Sequence, residues 1–282
     1  MKASETSHRQ GVKVEVQGLR KSYNGQEVLR GLDFEVKPGE VFVVMGPSGS
    51  GKSVLLKQLI GLEQPDSGRI LIEGQAIPSS GFIRPYRAAM VFQSCALLHC
   101  LTVGANVGLY LEEHTNTPSA EISQIVSHTL ELVGLKNIEN RMPSELSDGM
   151  RKRVAIARAL VIEPQLILYD KPTCGLDPVS SVEIAEIIVD LGRRIHVTSV
   201  VVSHDRNLAF SVADRIAVME DGNIIAVGTP CELRRDPDPR IQNFLNVHFD
   251  HPEGCNSFRS SSDMASWHST NYVGTRFLAG AA

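Results

Sequence analysis

The chain of 282 residues has no long apolar run, no paired-cysteine spacing and no surplus of positive charge. Each absence removes a class of protein. Apolar runs such as Val41 to Met45 fall far short of the ~20 residues that a membrane-spanning helix needs, so any membrane role is expected to pass through a partner. The opening MKASETSHRQ has no apolar core and does not read as a secretory signal. Five cysteines, Cys95, Cys100, Cys174, Cys231 and Cys255, form no C-x-x-C pair. A zinc site or disulfide framework is therefore not expected, and small, weakly polar fillers in a reducing cytoplasm are. A formal net charge of -4 gives no electrostatic reason to expect nucleic acid as a partner. No internal repeat is visible, and 42% hydrophobic with 21% charged residues is ordinary for one globular domain.

What is present is alternation. VKVEVQGL (Val12 to Leu19) and LDFEVKPGE alternate apolar and polar residues, as half-buried strands do. VFVVM (Val41 to Met45) is continuously apolar, the pattern of a central strand covered on both faces. SVLLKQLIGL has helical spacing and ends in a glycine that suits a helix stop. Strand-like ILIEG and MVFQ follow. From about Ser94 to Leu160 apolar residues recur at three and four, which predicts helices. Strands return at LILYD, TSVVVSH and RIAVMEDG, separated by helical VSSVEIAEIIVDLGRR. The order predicts a mostly parallel sheet with a helical insertion. Residues 1–11 read as a flexible N-terminus and 12–247 as the domain, with about 94–160 as its helical subdomain. Residues 248–282, rich in serine, read as a flexible tail. DPDPRIQNFL just before them has the pattern of a last amphipathic helix.

One motif carries chemistry outright. GPSGSGKS (Gly46, Pro47, Ser48, Gly49, Ser50, Gly51, Lys52, Ser53) satisfies G-x-x-x-x-G-K-[ST] between a strand and a helix, the context that the motif requires. Its glycines let successive backbone N–H groups turn inward on a phosphate chain, and the helix N-terminus behind them adds positive potential. Lys52 can reach the β- and γ-phosphates, and the Ser53 hydroxyl can ligate Mg²⁺. Val54 has no hydroxyl to offer the α-phosphate, so a small loss of affinity is expected. Asp170, ending LILYD, fits a second Mg²⁺ ligand; the competing reading is a strand-end acid capping the next turn. ATP and Mg²⁺ are the expected cofactors.

With Tyr23, Phe92-Gln93, LSDGM (Leu146 to Met150), GLD (Gly175 to Asp177) and Ser203-His204 in this order, the chain resembles the ATP-binding subunits of ABC transporters. The likeness covers roughly residues 12–247. MVFQSCALL, MPSELSDGMRKRVAIARAL and DPDPRIQNFL look most like the Mla-type phospholipid-transport ATPases of Gram-negative envelopes and their plastid relatives. That resemblance implies an α/β P-loop cassette with a mostly parallel core sheet, an antiparallel β subdomain and the helical insertion. It implies Tyr23, on the loop after the first strand, as an aromatic face for adenine. Gln93 would touch Mg²⁺ and the attacking water, and His204 the γ-phosphate. Ser147, Asp148 and Gly149 would open a helix facing the ATP of a second cassette, and Asp177 would lie at that dimer contact. Arg151, Lys152 and Arg153 read either as added attraction or as a solvated basic face. The implied partners are a second cassette, with a homodimer expected, a membrane permease subunit and a lipid-binding MCE-type subunit. The apolar stretch Ser94 to Leu111 would receive a permease helix. The implied location is cytoplasmic, peripheral on the inner face of the plasma membrane.

Two positions depart from the pattern. Lys171 stands where the family carries the glutamate that polarises the attacking water, and Asp148 where the signature has its first glycine. An ammonium cannot act as a base, and losing a general base typically costs ~10²–10⁴ in rate. At ~4 Å and an effective dielectric near 20, however, one charge pair is worth about 4 kcal/mol before desolvation. ATP is thus expected to close the dimer, with weakened hydrolysis. A cross-interface ion pair between Lys171 and Asp148 is expected in a homodimer. The alternative is a degenerate, nucleotide-gated structural subunit. A soluble ABC protein acting on DNA or ribosomes is disfavoured by the single cassette, the absence of long heptads and the acidic balance.

Overall fold

Along the chain, β1 (Val14–Tyr23), β2 (Gln26–Val36) and β3 (Val41–Met45) lead into α1 (Lys52–Leu59). Three strands follow, β4 (Ser67–Ile72), β5 (Gln75–Ala76) and β6 (Ala88–Val91), then three helices, α2 (Val103–His114), α3 (Ser119–Leu132) and α4 (Asp148–Leu160). Alternation resumes with β7 (Leu166–Asp170), α5 (Pro178–Ile195), β8 (Thr198–Ser203) and α6 (Arg206–Val212). β9 (Arg215–Glu220), β10 (Asn223–Gly228), α7 (Pro230–Arg235) and α8 (Pro239–Leu245) close the order. This computed structural model describes residues 11–77 and 86–245. The chain divides into units Met1–Val247 and His248–Ala282. The expected flexible tail and residues 1–10 of the expected N-terminal segment lie outside the described residues.

Two sheets form. An antiparallel sheet runs β2-β1-β4-β5, and a six-stranded sheet runs β10-β9-β3-β8-β7-β6. In the second, β9, β3, β8, β7 and β6 are parallel, and only β10 runs antiparallel. Every residue of β3 and β8 is buried, which explains why their sequences are apolar without alternation. The pleat divides those residues between two cores. Val41, Val43, Met45, Ile167, Tyr169 and Val201 face the core shared with α4 and α5. Phe42, Val44, Leu166, Leu168, Val200 and Val202 face the core shared with β1, β2 and α1. Phe42 stacks on Phe34 of β2 with ring centroids 5.4 Å apart, which joins the two sheets.

Two hairpins correct the sequence reading. β1 does not end at Leu19 but runs on to Tyr23, which pairs with Gln26. Tyr23 is therefore the last residue of a strand and not part of a loop. Asn24 (φ 50) and Gly25 (φ 79) both adopt left-handed backbone, as a two-residue hairpin turn demands. The same chemistry, Asp221 (φ 45) and Gly222 (φ 77), folds β10 back on β9, where the sequence reading assigns no strand.

The parallel strands aim their C-terminal ends at one edge, where open α/β sheets bind ligands. β3 delivers Gly46 there, β7 delivers Asp170, β8 delivers His204 and β6 delivers Gln93. The Phe42 contact, near the start of β3, ties the parallel sheet to the antiparallel one. Phe42→Ala is expected to lower unfolding free energy by about 3–5 kcal/mol, read as a shifted urea midpoint with an unchanged slope.

Candidate nucleotide site

The turn from β3 into α1 is built around one buried cation. The Lys52 ammonium donates to the carbonyls of Gly46 (2.9 Å) and Pro47 (2.6 Å) and to the Ser50 hydroxyl (3.0 Å). Burial, reinforced by the Lys171 charge and opposed by Asp170, pushes its pKa down to about 8. Gly51 caps α1 at φ 100, and a Cβ there would sit 2.8 Å from Leu29 Cδ2. Only glycine fits both demands. Gly49 is also left-handed (φ 87), while Ser48 is exposed beside it. Val54, part-buried, packs into the core beneath α1.

Asp170 meets this turn from across the sheet. Its Oδ1 accepts from the Ser53 hydroxyl at 3.2 Å, a contact between residues 117 positions apart. The two oxygens together are hard ligands of the type Mg²⁺ takes when phosphate and water supply the rest. No cluster of three or more His, Cys, Asp or Glu exists among the described residues, so a metal needing an all-protein cage does not fit.

Lys171 begins the next turn in left-handed backbone (φ 45). For a residue with a Cβ this costs roughly 1–2 kcal/mol. The turn is nevertheless well held. Lys171 N donates to Val202 O at 2.9 Å, Cys174 N donates back to Lys171 O at 3.1 Å, and the Thr173 hydroxyl donates to Asp205 at 3.1 Å. The Lys171 ammonium forms no ion pair among the described residues.

The remaining predicted residues fall into two groups. Gln93, His204, Asp177 and the α4 N-terminus belong to segments bonded to this turn or to each other. Gln93 is exposed, and its amide donates to Cys174 Sγ at 3.4 Å. His204 is exposed at the end of β8, beside Asp205. Ser147 caps α4, accepting from Met150 N at 3.2 Å. Gly149 packs on Ser180, where a Cβ would lie 2.9 Å from the hydroxyl. That hydroxyl donates to Asp177 at 2.6 Å, and Asp177 caps α5. Tyr23 stands apart in the antiparallel sheet. Its hydroxyl donates to Glu63, which also binds Lys57 of α1, and the Lys21 ammonium lies 5.5 Å from its ring centre.

Arg151, Lys152 and Arg153 of α4 are not a free face. Arg151 pairs with Asp148 and donates to Leu146 O, and Arg153 pairs with Glu183. Within the single chain the Asp148 carboxylate pairs with Arg151 of its own helix; the expected pair with Lys171 lies across a dimer contact that one chain does not contain. Lys152 is buried and donates to Gln93 O at 2.6 Å. Its role was missed, although Gly149, Lys152, Ile156 and Ala159 form a buried stripe at helical spacing. Glu63 and Thr173 carried no comparable signal.

A family model described as ABC transporter matches residues 29–174. The chain belongs to the ABC transporter family. The cassette is 40% identical over 225 residues to the intermembrane phospholipid transport system ATP-binding protein MlaF of Escherichia coli, covering 78% of this chain and 84% of that protein. It is 38% identical over 264 residues to TRIGALACTOSYLDIACYLGLYCEROL 3 of Arabidopsis thaliana chloroplasts, covering 86% and 75%. It is also 38% identical over 259 residues to the probable ribonucleotide transport ATP-binding protein mkl of Mycobacterium leprae, covering 90% and 75%. Among solved structures, the dimeric cassette MJ0796 in a post-hydrolysis state with ADP and Pi superposes with a TM-score of 0.70 at 31% identity, covering 77% of this chain and 98% of that one. The cassette is therefore a P-loop ATP-binding domain of the ABC transporter type.

Because the buried Lys52 charge is disfavoured before phosphate arrives, Lys52→Met is expected to leave the ligand-free melting temperature unchanged or higher. The same variant loses the ATP-induced rise in melting temperature, which a thermal-shift titration reads directly.

Proposed function

We propose that this cassette is the ATP-binding subunit of a phospholipid-transport ABC complex, in which ATP with Mg²⁺ closes a dimer of cassettes but is hydrolysed slowly. The observation that carries the nucleotide part is the 3.2 Å meeting of Ser53 and Asp170 above the buried Lys52. Ser53, Asp170 and the Gln93 amide offer oxygen ligands for a metal, whose charge offsets that of the phosphates. Lys52 and the N–H groups of Gly49, Gly51 and Lys52 then bind and orient the phosphate chain. Adenine stacks on Tyr23, whose hydroxyl Glu63 fixes in place. His204 contacts the γ-phosphate from the end of β8.

Dimer closure is supported by likeness to the dimeric MJ0796 cassette. In that arrangement Ser147, Asp148 and Gly149 face the partner's nucleotide, with Asp177 alongside. The phospholipid assignment is supported by identity to MlaF and to the chloroplast protein. No described helix is long and apolar enough to cross a membrane, so a permease supplies the crossing and holds the cassette on the cytoplasmic face. Exposed Leu98 and Tyr110 are the apolar positions that would receive a permease helix. An MCE-type subunit on the far side would carry the lipid.

Lys171 sets the rate. Its ammonium attracts the γ-phosphate and has no lone pair with which to accept a proton from water. This same observation favours a second reading, a structural subunit gated by nucleotide with hardly any turnover. Steady-state phosphate release by the purified dimer separates the two. The transport reading expects slow but measurable release, with Lys171→Glu raising it about 10²-fold or more. Release in the parent at rates equal to Lys171→Glu contradicts the role given to Lys171. Co-purification of a permease with bound phospholipid tests the partner assignment, and its absence removes it.

A further inference from the structure

α4 carries a buried ammonium with no counter-charge among the described residues. Lys152 lies on the buried stripe with Gly149, Ile156 and Ala159, and only 4% of it is exposed. The ion pairs of this helix belong to its neighbours, Arg151 with Asp148 and Arg153 with Glu183. The Cys95 thiol feels the Lys152 charge, but burial pushes its pKa up and keeps it protonated, so it supplies no anion. An apolar side chain would fill the stripe without the desolvation that a buried charge costs. What the ammonium supplies instead is a single charge-assisted bond, Nζ to Gln93 O at 2.6 Å.

The carbonyl it grips is well placed. Gln93 stands two residues beyond the end of β6, where the segment leaves the sheet for the helical insertion. Its two polar ends are held unequally. The carbonyl is fixed by Lys152, whereas the side-chain amide donates only to Cys174 Sγ at 3.4 Å, and sulfur is a weak acceptor. The side chain can therefore exchange that sulfur for a better partner while its backbone stays with α4. Lys152 is also about one and a half turns from the Ser147 cap of the same helix. That end of α4 packs on α5 through Gly149 and Ser180.

We propose that Lys152 is a positioning residue, whose ammonium locks the backbone of Gln93 to α4 so that the Gln93 segment and the partner-facing end of α4 move as one body. This role rests on the nucleotide-bound dimer proposed above and adds the part that joins its two halves. Without the ammonium, ATP still fills the turn around Lys52, but α4 no longer follows it.

Calorimetric titration of the full chain with ATP and Mg²⁺, beside sedimentation velocity with and without them, separates this tie from the nucleotide pocket. Lys152→Met keeps the length of the side chain and removes its charge. It is expected to bind ATP within about threefold of the parent, yet to dimerise in ATP about tenfold more weakly or worse. Its ligand-free melting temperature is expected to stay within a few degrees of the parent, because relief of the buried charge offsets the lost bond. Lys152→Arg, which still donates, is expected to restore dimerisation. Lys152→Gln, a neutral donor, is expected to fall between them and serves if the methionine variant folds poorly. Dimerisation of the neutral variants at the parent's strength overturns the role of Lys152, as does a loss of ATP affinity as large as the loss of dimerisation. A parent that binds no ATP overturns the nucleotide reading and this role with it; a parent that binds ATP and stays monomeric overturns the dimer reading and this role with it.

Discussion

The arrangement depends on two oxygens that meet from opposite ends of the sequence, the Ser53 hydroxyl and Asp170 Oδ1, 3.2 Å apart. Everything beneath them is rigid. β3 and β7 are separated by β8 in a parallel sheet whose strands are buried on both faces, and such packing resists small displacements. A cation under the turn and an acid above it can therefore face a polyphosphate without rearranging the sheet. The cost is local, paid in the buried charge of Lys52 and the left-handed backbone of Lys171. Unfavourable local choices supported by a well-packed frame are what a binding site tends to contain.

A second set of contacts links that edge to the helical insertion. The Lys171 turn binds Gln93 through Cys174, Gln93 O accepts from Lys152, and α4 packs through Gly149 onto Ser180, which holds Asp177. The path thus returns to the start of α5, just beyond the Lys171 turn. Arg158 adds two bonds to the carbonyls of Cys95 and Ala96, both in left-handed backbone (φ 64 and 47). The segment after Gln93 is thus held by cations of α4 in left-handed backbone. Asp148 belongs to this helix and is neutralised by Arg151, so the departure from the signature pattern is balanced within one turn.

Much of this is legible in the sequence. Apolar runs without alternation marked β3, β7 and β8 because two-sided burial leaves no polar face to show. The glycine-rich turn announced itself because only one geometry uses those residues at that spacing. Some local signals carry more than their sequence reading assigns. The end of β1 and the existence of β10 turned on Asn-Gly and Asp-Gly pairs whose hairpin meaning was passed over. Within its own helix Asp148 pairs with Arg151, three residues on, a contact that i,i+3 spacing permits. Lys152 reads in sequence as added attraction or as a solvated face, although its helical spacing lies on the buried stripe.

Lys171 thus sits in the frame of an ABC-type ATP-binding domain, and the account turns on what its charge does there. A crystal structure of the chain with a non-hydrolysable ATP analogue tests this most directly. The account predicts the triphosphate between the Gly46 to Ser53 turn and Asp170, with phosphate oxygens within hydrogen-bond reach of both Lys52 and Lys171. A complex in which Lys52 keeps its loop oxygens, or in which Lys171 turns away to solvent, would contradict it.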